Sequence, residues 1–189
     1  MSNDFLDDRR RALEEAFFAK QGQDWLRQQR EAGETKVRTG ALAAASGITD
    51  VTLLERLVGL GLNNNSMVAL SLVPLVVVAW ADGSLDERER AALLSAAAEA
   101  GVERQGESYQ WLSKWLAEQP PPQLLDTWTD YIRATSGTLA PDAREALKSD
   151  LLGRARRVAE AAGGFLGIGR KISAAEEAVL ERLTRAFSA

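Results

Sequence analysis

Apolar residues recur at intervals of three and four along almost the whole chain, while strict apolar–polar alternation is nearly absent, so the pattern predicts helices and no sheet. From Asp4 to about Arg30, Leu6, Leu13, Phe17, Phe18, Trp25 and Leu26 form an apolar stripe on a strongly charged segment, with Gly22 a candidate break. An Ala-rich helix follows from Lys36 to Ser46 and ends at Gly47. Asp50 caps a short helix that ends at Gly61, and Asn63 to Ser66 is the polar start of an apolar helix reaching Ala81. Val76, Val77 and Val78 lie inside that segment and read as helix buried on all sides. Asp86 opens a helix to Ala100. Residues 107–118 gather Tyr109, Leu112, Trp115 and Leu116 on one face until Pro120–Pro122 stop them, and Leu124, Leu125, Trp128 and Ile132 continue the apolar face beyond. Pro141 opens a helix to about Ala162, and after a Gly-rich insert the last helix runs from Ser173 to Phe187. The sum is about nine helices.

One corner occurs twice. Ala81-Asp82-Gly83-Ser84-Leu85-Asp86-Glu87-Arg88-Glu89 leaves a buried helix and opens another, with Gly83 at a position that needs positive φ, Leu85 turned inward, and Asp86 and Glu89 spaced as a capping pair. Ile172-Ser173-Ala174-Ala175-Glu176 repeats the apolar residue, the capping side chain and the Glu three later. Val78-Ala79-Trp80-Ala81-Asp82-Gly83 aligns with Val158-Ala159-Glu160-Ala161-Ala162-Gly163 in the helices before the two corners. Each helical pair needs a facing pair to bury its stripe, which predicts an all-α pseudo-two-fold bundle.

Composition narrows the chemistry. The 189 residues include no His and no Cys, which removes imidazole bases, thiolate nucleophiles and thiolate zinc sites, and no nucleophile–base pair stands at interpretable spacing, so the expectation is a protein that is not an enzyme. A net charge of −4 argues against bulk nucleic-acid binding. The charge is uneven: residues 82–107 hold seven acids and three arginines, whereas 151–171 hold Arg154, Arg156, Arg157, Arg170 and Lys171 against Glu160 alone. The two stretches either meet in the fold or mark two partner surfaces. Met1 to Arg11 has no apolar core of a secretory signal, and the Met67–Ala81 stretch is shorter than the roughly 20 residues of a membrane span, so the expected location is cytoplasmic.

The residues Val77 to Glu89, together with Ile172 to Glu176, resemble the TerB-like domains, named for tellurite-resistance operons. The resemblance covers roughly residues 64–189. It implies an all-helical fold of two pseudo-symmetric halves, a non-catalytic intracellular interaction module tied to stress response or membrane-associated complexes, and a cation site built from acids near the two turns. The acids that match are Asp82, Asp86, Glu89 and Glu176, and their all-oxygen character suits Ca²⁺ or Mg²⁺; the bland reading is that they only cap helices. Ala162 stands where a counterpart of Asp82 would fall. Over fewer than twenty residues, Phe5 to Phe17 also resembles the opening of zeta-type bacterial ATPase inhibitor proteins.

Three further features bear on partners. Phe165, Leu166 and Ile168 in the Gly-rich insert, flanked by Arg154, Arg156, Arg157, Arg170 and Lys171, are candidates for docking to a membrane surface or an acidic partner, against the simpler reading of a hinge buried on the bundle. Ala43, Gly47, Ile48 and Leu53 have helix-turn-helix spacing, yet Asp50 and Glu55 face only Arg56 on the would-be recognition helix, and a plain helical hairpin is the reading preferred. The five tryptophans read as core. The resulting organisation is a helical N-terminal extension, 1–62, joined to a TerB-like domain, 63–189. Its expected function is that of a protein-interaction module, with a cation or small-ligand sensor as the alternative and a DNA-binding regulator third.

Overall fold

The structure is a computed structural model that describes the backbone of residues 2–162 and 172–188, and the side chains of residues 17, 19–161 and 172–188. Among them there are eight α-helices, one 3₁₀ segment and no strand: α1 (Ser2–Ser46), α2 (Val51–Gly59), the 3₁₀ segment (Asn64–Leu72), α3 (Val73–Ala79), α4 (Glu87–Glu99), α5 (Glu107–Ala117), α6 (Gln123–Ser136), α7 (Pro141–Ala162) and α8 (Ala174–Arg185). The all-α expectation holds, while two stretches, residues 4–46 and 63–81, differ from the sequence reading.

At the N-terminus two expected helices are one. Gly22 and Gly33 sit in the open, with nothing within 4 Å of where a Cβ would stand, so each costs only about 1 kcal/mol against alanine, and no proline stands between Glu31 and Lys36 to end the helix. Ion pairs along the helix support the join: Arg27 meets Asp24 at 2.8 Å and Glu31 at 3.9 Å, and Arg38 meets Glu34 at 3.5 Å. The expected apolar helix to Ala81, in contrast, is two pieces. Pro74 has no amide hydrogen and its ring crowds the carbonyl four residues back, so the α ladder starts afresh at Val73 and the preceding nine residues coil more tightly as 3₁₀. Asn63 caps that segment, accepting from the Asn65 and Ser66 amides.

α3 is the axis of the molecule. Val73, Leu75, Val76 and Val78 are fully buried, and the helix packs most extensively on α7, with α8, α6, α4 and the 3₁₀ segment around it. α7 presents Leu151, Ala155, Val158 and Ala159, an i, i+4, i+7, i+8 stripe whose small residues allow close approach. One apolar core runs from Leu42 to Phe187 and includes Leu53, Leu54 and Leu57 of α2, which an Arg56–Asp130 pair at 2.6 Å also ties to α6. Val51–Gly59 and Asn64–Ala79 are together apolar enough to span a membrane, but they meet at an 87° bend, and no single described helix is long and apolar enough.

Candidate functional site

Two surfaces combine the features that chemistry or recognition needs. The first is the meeting place of the two corners. At the first corner Gly83 takes φ 89°, Asp82 accepts from the Ser84 amide at 3.0 Å, and Asp86 accepts from the Arg88 and Glu89 amides at 2.7 and 2.8 Å. Glu89 returns the bond by accepting from the Asp86 amide at 2.9 Å. The second corner is built alike, with Ser173 accepting from the Glu176 amide at 3.2 Å and Glu176 accepting from the Ser173 amide at 2.6 Å. Both boxes satisfy helix-start amides that have no other partner.

The two Glu residues are the buried ones, Glu89 5% and Glu176 6% exposed. Burial pushes the Glu89 carboxyl up from its usual 4.5 to about 7, against the hydrogen bond from Asp86, and repulsion from Asp86, Asp82 and Glu176 adds to the rise. The other three candidate acids therefore all lie close enough to act on Glu89. One oxygen of each of the four accepts from a backbone amide, and among the described residues no group of three or more acids is placed to hold a metal ion. One of the remaining oxygens is buried: Glu176 Oε1 has no hydrogen-bond partner, a condition it shares only with Trp128 Nε1 among the described buried side chains.

The basic run does not stand apart. Arg154 pairs with Asp150 at 2.8 Å, Arg156 with Glu177 at 3.6 Å, and Arg157 with Glu99 at 3.5 Å, so the acidic and basic stretches meet across α4, α7 and α8. Phe165, Leu166, Ile168, Arg170 and Lys171 lie outside the described residues.

The second surface is α1. Its last turns are held by the fully buried Leu42, yet Phe17, Trp25, Leu26 and Val37 are all exposed, Trp25 by 58% and Val37 by 74%. Trp115 and Trp128 are core, and Trp80 and Trp111 pack against it, so the expectation that the tryptophans are core fails at Trp25 alone. Trp80 also donates its indole hydrogen to the Trp115 carbonyl at 2.8 Å. Where α1 meets α2, a groove of about 1040 Å³ opens to solvent, floored by Ala32, Thr39, Gly40, Ala43 and Ile48 and rimmed by the exposed Val51. This is the segment with helix-turn-helix spacing. Asp50 is spent capping α2, accepting from the Leu53 amide, and Arg56 is paired to Asp130, which leaves no basic face toward the groove from those residues.

Sequence reasoning missed the groove because its lining residues are small and semi-polar, and no period marks them. The signal that could have found it is the concentration of Ala, Thr and Gly at 32, 39, 40 and 43, toward the end of a helix that is strongly charged before them. Compared with protein-family models, curated proteins and solved structures, the chain matches none.

Proposed function

We propose that the chain is a non-catalytic interaction module of the TerB-like type, acting in the cytoplasm and linked to stress response, and that α1 is its docking element. The observation that carries this reading is the exposure of Trp25, Leu26 and Val37 on a helix whose buried apolar anchor, Leu42, comes only in its last turns. A helix of 45 residues is about 68 Å long, and helical segments without tertiary support are marginal in water, so one with large apolar side chains along it gains from a partner. The lack of His and Cys supports a role in binding over catalysis. The test is recovery of cross-linked partners from the cells that make the protein, comparing the unaltered chain with Trp25→Glu. A partner lost with Trp25→Glu supports the reading, and a partner set independent of α1 overturns it.

A second reading has its own observation, the unpartnered Glu176 Oε1 in the neighbourhood of Glu89. After the caps are made, each of the four carboxylates keeps one oxygen, fewer donors than the six to eight oxygens Ca²⁺ takes; Mg²⁺ keeps several waters and is held by one or two carboxylates. As a cation sensor the protein would hold Mg²⁺ between Glu89 and Glu176. Millimolar Mg²⁺ then raises the melting midpoint of the unaltered protein and leaves that of Glu176→Gln in place. Equal shifts in both reject the site.

A further inference from the structure

Beside the two surfaces above, a cleft of about 400 Å³ opens where the end of α2, one face of α5 and the start of α6 converge. That volume lies at the small end of the roughly 300–1,000 Å³ typical of ligand clefts. The apolar wall is aromatic. Trp111 and Trp115, one turn apart on α5, stand with ring centroids 5.7 Å apart and planes tilted by 38°, and Leu60, Leu62 and Leu124 complete the wall. Gly61 lets the Trp111 indole lie directly on the stop of α2, where a Cβ would stand 2.9 Å from Cζ2.

The wall is tied in place by the protein itself. Trp80 Nε1 donates to the Trp115 carbonyl and Arg90 to the Leu116 carbonyl, each at 2.8 Å, which anchors the last turn of α5. Pro120 and Pro121 follow along the same cleft and stiffen the passage to α6.

Two charges of opposite sign line the cleft and are not spent on each other. Lys114 and Glu118 stand four residues apart, a spacing at which opposite charges on a helix can meet. Here the helix ends between them. Glu118 closes α5 with φ −142° and ψ 138°, outside the helical stack, and the Lys114 ammonium lies over the Trp111 ring, 5.0 Å from its centroid. Both side chains are exposed, and among the described residues neither has an ion pair or a side-chain hydrogen bond. A ligand that satisfies both brings an anion and a cation close together, within the roughly 6 Å that four residues rise along a helix, and an apolar body for the indoles. A lone carboxylate or a lone amine meets one of the two charges and leaves the other unmet. A free amino acid carries both on one carbon.

We propose that this cleft binds a free α-amino acid with an aromatic side chain, its carboxylate toward Lys114, its ammonium toward Glu118 and its ring against the indole wall. The site uses neither α1 nor the two corners, so it goes beyond both readings above and its failure leaves them untouched.

Ligand-observed NMR titration of the full chain tests it with four probes. L-phenylalanine is expected to bind, and 3-phenylpropionate, phenethylamine and glycine, which lack the ammonium, the carboxylate and the ring respectively, are each expected to bind about fivefold more weakly or worse. Lys114→Gln is expected to weaken L-phenylalanine and 3-phenylpropionate about fivefold and to leave phenethylamine unchanged. Glu118→Gln is expected to weaken L-phenylalanine and phenethylamine and to leave 3-phenylpropionate unchanged. Because both side chains are exposed and unpaired, the free variants are expected to melt within about 2 °C of the unaltered chain, so a change in binding is not a loss of fold. Absence of L-phenylalanine binding at about 10 mM overturns the proposal. So does glycine binding as tightly as L-phenylalanine, either single-charge probe binding as tightly as L-phenylalanine, or a variant that weakens all the probes alike.

Discussion

Gly61 sits where two requirements meet. It ends α2 at φ 82°, with its own amide donating to the Val58 carbonyl at 2.8 Å and the next amide, of Leu62, donating to the Leu57 carbonyl at 3.0 Å, a helix stop that L side chains resist. A Cβ there would also stand 2.9 Å from Cζ2 of Trp111. Gly61→Ala is therefore expected to cost about 2–4 kcal/mol, strain and overpacking together, against about 1 kcal/mol for Gly101→Ala, where φ is 75° and nothing stands within 4 Å; urea unfolding of the two variants compares them. The stop was legible in the sequence, the indole against it was not, because Trp111 is fifty residues away and no local pattern records a tertiary contact. Glu89 gives the same lesson with charge. Its spacing from Asp86 revealed a cap; its burial and the nearness of Glu176 came from the fold. With its folded pKa raised to about 7 from 4.5, Glu89 favours the protonated form in the native state, so its contribution is fully present below about pH 4.5 and is lost as pH rises through 7. The melting midpoint is expected to fall between pH 5 and 8, and Glu89→Gln, which keeps an acceptor for the Asp86 amide, is expected to flatten that fall and to melt higher than the unaltered protein at pH 8. An unchanged slope in Glu89→Gln would place the titrating group elsewhere.

Helices were readable as far as local rules decide them. Asp50, Asp86 and Ser173 start α2, α4 and α8 where their side chains reach amides three residues on, and Gly47, Gly61 and Gly101 stop α1, α2 and α4. The rules failed where two local effects compete. At Gly22 and Gly33 a weak breaker is set against a run of good helix formers with i, i+3 and i, i+4 ion pairs, and the helix continues. At Pro74 a strong breaker sits in a run apolar enough to look continuous, and the helix divides. Whether the apolar residues of α1 face the core or the solvent was open in the sequence, because a stripe of Leu, Phe and Trp serves either purpose. The structure separates the two uses along one helix: Leu42 is fully buried, while Trp25 is more than half exposed. Leu42→Ala is expected to cost about 2–5 kcal/mol in chemical unfolding of the body, whereas Trp25→Ala is expected to change it by less than about 0.5 kcal/mol. A comparable loss in both would mean that α1 is packed on the body along its length.

At the scale of the molecule, elements far apart in sequence share one core, and Ala186 and Phe187, beyond α8, are part of it. Phe187 is 6% exposed and meets the fully buried Trp128 edge to face, with ring centroids 6.3 Å apart. α8 joins the same neighbour α6 through an Arg182–Asp126 pair at the surface, and it packs on α3 and α7 through Leu180 and Leu183. At the other end of the core, α2 reaches α6 through Arg56 and Asp130 and contributes Leu53, Leu54 and Leu57. The acidic and basic stretches meet too, but Arg157 and Glu99 are both more than half exposed, and such pairs contribute about 0–1 kcal/mol each. Cohesion therefore comes from apolar contact with α3 and α6, and the ion pairs mainly fix orientation. This division of labour has a measurable consequence. Phe187→Ala is expected to cost about 3–5 kcal/mol and Arg182→Ala less than about 1 kcal/mol. At roughly 2–4 °C of midpoint per kcal/mol for a body of this size, the first lowers melting by about 6–20 °C and the second by a few degrees at most. If α2 and α8 belong to one cooperative unit, Leu57→Ala and Phe187→Ala shift the same single calorimetric transition. Two transitions, one sensitive to Leu57 and the other to Phe187, would instead mean that the chain divides near residue 62, with α2 melting as part of the N-terminal extension despite the core it shares with α6.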